Sequence, residues 1–79
     1  MIKLEHIKRN ENTVTCDAYV EDCKTAMPLA LDVSKKEFEK YDFPAGYEWC
    51  RSHIAHAKRR LLKMIETDNF EKECLIMWY

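Results

Sequence analysis

Thr13-Val14-Thr15-Cys16-Asp17-Ala18-Tyr19-Val20-Glu21 alternates without a break: Val14, Cys16, Ala18 and Val20 fall on one side of an extended chain, and Thr13, Thr15, Asp17, Tyr19 and Glu21 on the other. Successive strand residues point to opposite faces, so the pattern predicts an antiparallel strand with one packed face and one wet face. Upstream, Ile2, Leu4 and His6 share a phase that Ile7 breaks, which predicts a bulged strand with His6 partly buried. Arg9-Asn10-Glu11-Asn12 supplies turn residues between the two. Downstream, Met27, Leu29, Leu31 and Val33 mark a third strand, with Pro28 at an edge or a strand start. Residues 38–43 fit either a short fourth strand or an extended loop carrying aromatic anchors.

After Pro44-Ala45-Gly46 the period changes to that of a helix, beginning at Tyr47 or Ser52 and running through Glu66. Cys50, Ile54, Ala57, Leu61, Met64 and Ile65 then fall within an arc of roughly 100°, the width of a core-facing stripe. Thr67-Asp68-Asn69 ends the helix, and Cys74 to Tyr79 has the length and composition of a buried strand. The expected fold class is α+β: a small, mainly antiparallel sheet in the order βββ(β)αβ packed against one long helix. The last strand is expected between or beside the earlier ones, and residues 1–79 form one domain.

Composition narrows the function classes. Seventy-nine residues support one modest core, which leaves little room for a multi-step catalytic site. One glycine cannot build a phosphate-cradling loop. A net charge of −1 argues against a global polyanion binder. Charge interrupts the first residues at once, so the segment predicts neither a signal peptide nor a membrane span, and the expected address is cytoplasmic.

Cys16, Cys23, Cys50 and Cys74 contain no CxxC pair, which predicts four reduced thiols. Cys50, His53 and His56 have a C-x2-H-x2-H spacing that Cys16, Cys23, Cys74 or His6 could complete as a zinc site. Cys50 is nevertheless predicted to point to the core and His56 outward, so no metal is expected. A Cys50–His53 nucleophilic pair lacks a glycine-flanked nucleophile turn and a recognisable oxyanion site. No enzyme activity and no cofactor are expected.

Arg51, Lys58, Arg59, Arg60 and Lys63 lie in a stretch without an acidic residue between Glu48 and Glu66, a positive face suited to phosphates or an acidic partner, or simply to water. Trp49, His53, His56 and Arg60 share one flank beside the apolar arc. An aromatic ring, two imidazoles and a guanidinium in line suit a partner surface that contributes little to folding. In the last strand both alternating sets are apolar. The outer sheet face is therefore expected to present Tyr19, Ile76 and Trp78 to a partner or a second copy, unless residues 38–43 cover them.

Tyr47-Glu48-Trp49-Cys50-Arg51-Ser52-His53-Ile54-Ala55-His56-Ala57-Lys58, together with Ile76-Met77-Trp78-Tyr79, resembles small uncharacterised proteins of prophages and mobile elements in Gram-positive anaerobes. The resemblance implies an accessory or host-directed interaction protein, such as an inhibitor of a host enzyme, and assigns no functional residue. The expected function is a protein-interaction module, with nucleic-acid binding through the basic helix as the alternative.

Overall fold

In the computed structural model, which describes residues 1–78, the first three strands form a meander: β1 (Ile2–Asn10), β2 (Thr13–Val20) and β3 (Met27–Asp32). β1 and β2 join through Glu11 and Asn12, with Glu11 in the left-handed region at φ 55°. The alternation read in β2 is realised: Val14, Cys16, Ala18 and Val20 are buried against Ile2 and Leu4 of β1 and Met27, Leu29 and Leu31 of β3. Such burial stabilises by about 1.5–3 kcal/mol for each large aliphatic side chain.

The register of β1 slips between Glu5 and Lys8, where His6 takes φ 55°. The extra residue returns Ile7 to the core and turns His6 outward, so His6 is exposed rather than partly buried; its Nδ1 lies 3.0 Å from Asp17 Oδ2. The slack is taken up by the Ile7 amide, which donates to the Lys72 carbonyl at 2.9 Å.

β4 is only Glu37–Phe38, paired with Asp32 and Leu31, which leaves Pro28 beyond its reach on an open stretch of β3. Residues 39–43 continue as a loop in which Tyr41 meets Phe38 and Phe43 edge to face at 6.1 and 5.6 Å between ring centroids. Phe38 and Tyr41 line a depression with Ile54 and Ala55 of the helix. Phe38 and Tyr41 therefore pack on the helix side, while Glu39 and Lys40 border a depression on the outer sheet face with Thr15, Asp17 and Ala30.

The helix α1 spans Arg51–Thr67, after turns in which the Tyr47 and Cys50 amides donate to the Pro44 and Tyr47 carbonyls. His53, Ile54, Ala57, Leu61 and Met64 are buried along it, together with Cys50 at its start, while Ile65 is half-buried. The buried arc is thus turned toward His53 relative to the apolar stripe. Asp68 closes the helix at φ 51°, with its amide on the Ile65 carbonyl and the Asn69 amide on the Met64 carbonyl, the paired bonds of a Schellman motif.

β5 (Cys74–Ile76) returns antiparallel to β1, giving the order β4-β3-β2-β1-β5. It joins the edge of the sheet and is not inserted between earlier strands. The fold is α+β: a five-stranded antiparallel sheet with one helix across one face. Tyr79, expected to complete the final strand, lies outside the described residues. Among the described residues no helix is long and apolar enough to cross a membrane.

Candidate interaction surface

His53 organises the end of the sheet where the helix begins. Its position on α1 turns the ring inward, and Glu21, held at φ 50° just after β2, meets it with Oε2 at 2.6 Å from Nε2. The same carboxylate oxygen takes the Met1 amine, and the Glu21 amide donates to the Met1 carbonyl at 3.0 Å. An ionised carboxylate only accepts, so Nε2 carries the proton in this contact. His53 Nδ1 is buried without a hydrogen-bond partner among the described residues.

Aromatic rings close around this imidazole. Trp49 approaches it edge to face at 5.7 Å and Trp78 at 4.8 Å, while Trp78 also stacks on His56 at 4.0 Å and 13°. One turn further along, Arg60 Nη2 donates to Glu71 Oε1 at 3.2 Å. The flank of Trp49, His53, His56 and Arg60 does exist, but it binds the chain's own C-terminal segment. This corrects the expectation of a stripe that takes little part in folding: Trp78 and Glu71 lie against it. Trp49 alone of the four remains largely open, 65% exposed, with its indole N–H donating to the Gly46 carbonyl at 3.0 Å.

The sheet-face expectation is corrected by register. Ile2 pairs with Ile76, Leu4 with Cys74 and Lys3 with Leu75, so Cys74 and Ile76 follow the core phase of β1. Trp78 packs on the helix. Leu75 instead shares the outer face with Tyr19, which pairs with Lys3. Leu75 is 53% exposed and Met77 61% exposed; with Trp49 they are the large hydrophobic side chains left exposed among the described residues. Sequence reasoning missed Leu75 and Met77 because either phase of an entirely apolar run satisfies a strand pattern.

Arg51, Arg59 and Lys63 are exposed on the far side of α1 and make no ion pair among the described residues, whereas Lys58 lies 3.5 Å from Glu37. The four cysteines are unbridged and buried. Burial, reinforced by Asp17 and Cys74, pushes the Cys16 thiol up to about 12, and burial also raises Cys50 and Cys74. At Cys50, buried at the start of α1, burial and the nearby Glu21 carboxylate both favour the thiol over the thiolate. Among the described residues no group of three or more His, Cys, Asp or Glu is placed to hold a metal ion. No family model, curated protein or solved structure matches the chain.

Proposed function

We propose that this protein is a small, non-enzymatic protein-interaction module, and that the open edge of β5 with Trp49, Leu75 and Met77 is its docking surface. The carrying observation is the exposure of Leu75 and Met77 on and just after the strand that forms one edge of the sheet; Trp49, the third exposed hydrophobic side chain, lies on the helix side, where its ring meets His53 at 5.7 Å.

The two edges of the sheet differ in a way that supports this reading. At the β4 edge, the strand is two residues long, Lys36, Glu37, Glu39 and Lys40 surround it, and Pro28 interrupts the exposed part of β3. Charge, proline and brevity are the usual protections against unwanted strand pairing. From Cys74 to Trp78 there is neither charge nor proline. Beside it, a shallow depression of about 470 Å³ lined by Tyr19, Lys24 and Leu75, among others, offers room for a partner side chain. An extended segment added to β5 would satisfy its outer backbone groups and cover Leu75 or Met77. A role as a prophage or mobile-element accessory protein, including inhibition of a host enzyme, fits this reading.

A photo-crosslinking residue at position 77 of the full chain tests it in cells. A discrete heterologous adduct is expected, and Trp49→Ala or Leu75→Lys should weaken the captured complex by roughly thirtyfold, the loss of an interface hot spot. Absence of any adduct, or affinity unchanged in both variants, refutes the proposal.

A further inference from the structure

We propose a second docking surface, on the solvent face of α1, that takes an acidic segment of a partner protein. Its starting point is charge segregation. Five of the thirteen lysines and arginines lie from Arg51 to Lys63, and none of the fourteen acidic residues does, so the rest of the chain, with eight basic and fourteen acidic residues, carries a net −6. The near-neutral total conceals a strongly polarised molecule.

The fold then aligns part of this charge. At 100° per residue, Arg51, Ala55, Arg59 and Lys63 occupy the side of α1 opposite the arc of Cys50, Ala57, Leu61 and Met64. Arg51, Arg59 and Lys63 are exposed and unpaired among the described residues, and they span about 18 Å of helix axis. Between the cations, Ala55 and half-buried Leu62 contribute to a shallow depression of about 550 Å³ bordered by Lys58, Arg59 and Lys63 and closed at its C-terminal end by Glu66, which sets the side from which an acidic segment would be repelled.

The shape of the surface chooses between anions. A nucleic-acid strand longer than the stripe would continue over a body of net negative charge, and its phosphates would have no use for the apolar ground at Ala55 and Leu62. A short acidic segment with an apolar side chain meets only the stripe: carboxylates reach the guanidinium and ammonium groups, and the apolar side chain covers Leu62. This surface lies away from the β5 edge and stands or falls separately from it.

The probes are a fifteen-residue peptide bearing glutamate at every fourth position with leucines between, the same peptide with lysine replacing glutamate, and a fifteen-nucleotide oligothymidine. Each is titrated into the full-length protein while backbone amide NMR shifts are followed. The acidic peptide is expected to shift amides from Arg51 to Lys63, with affinity falling roughly tenfold between low salt and about 0.3 M salt. Arg59→Glu combined with Lys63→Glu should weaken it by roughly tenfold or more, and Arg59→Ala with Lys63→Ala should show the same direction with unchanged melting. Tighter binding of oligothymidine, equal shifts from the lysine peptide, shifts centred on β5, or no shifts with the acidic peptide would each overturn the proposal.

Discussion

Leu61 and Leu62 are adjacent leucines of one helix with opposite expected sensitivities. Leu61 is fully buried, whereas Leu62 lies half-buried at the rim of the core. Leucine and alanine both rank high as helix formers, and either truncation deletes the same three carbons, so the comparison isolates burial. For Leu61→Ala, three buried carbons at about 0.8 kcal/mol each give about 2.4 kcal/mol, and the cavity left behind raises the cost to roughly 2.7–5 kcal/mol. For Leu62→Ala, half the transfer and no closed cavity give about 1 kcal/mol. A domain of this length has about 4–12 kcal/mol of total stability, so the first change removes a large share of it. Urea melts followed by tryptophan fluorescence and circular dichroism should show the difference in midpoint at constant slope. Each kcal/mol should also lower Tm by about 4–8 °C. Equal costs, or a Leu61→Ala cost below about 0.5 kcal/mol, would mean that α1 presents a different face to the sheet.

Two further outcomes follow from groups held in unfavourable surroundings. The Cys16 thiol is pushed up to about 12 from an ordinary value of 9.0, so above pH 9 the unfolded chain releases a proton that the folded chain keeps. Stability should therefore fall as pH rises from about 9 toward 12, at most by about 1.4 kcal/mol per pH unit from this group, and Cys16→Ala should make the fall shallower in urea melts. Asp68→Gly should stabilise by about 0.5–1 kcal/mol in thermal melts, because glycine takes the left-handed conformation of the helix end without the strain of a Cβ; a lower Tm would show that the aspartate side chain itself contributes.

The sequence was most legible where its periodicity was unambiguous. Val14 to Val20 alternates strictly, and the arc from Cys50 to Met64 is apolar, so the sheet and the helix could be read directly, although the buried face of the helix also takes in His53. Cys74 to Trp78 is apolar in both phases, and only its pairing with Ile2, Lys3 and Leu4 decides that Leu75 faces out. A helical wheel placed Trp49, His53, His56 and Arg60 together, but it contains no information about what covers a flank. That cover comes from Glu21, more than thirty positions before His53, and from Glu71 and Trp78, both far along the chain. The phase break at Ile7 signals the bulge of β1 but not which residue it turns outward, and only the slip between Glu5 and Lys8 decides that this is His6.

The strand order also sets an order of assembly. Neighbours from β4 to β1 are consecutive in sequence and can zip through short connections, but β5 pairs residues 74–76 with residues 2–4 and so closes nearly the whole chain into one loop. Closing a loop of about 70 residues costs on the order of 4 kcal/mol in chain entropy, repaid here by three residue pairs and the rings that clamp Trp78. The meander can therefore form early and β5 dock late. By the same reasoning the native chain opens first at β5, so hydrogen exchange should find its amides among the least protected of the sheet. Release of the segment that carries Leu75 and Met77 would uncover the edge of β1 at Ile2 to Leu4, so a partner strand that captured the opened sheet would take the place of β5 instead of adding beside it.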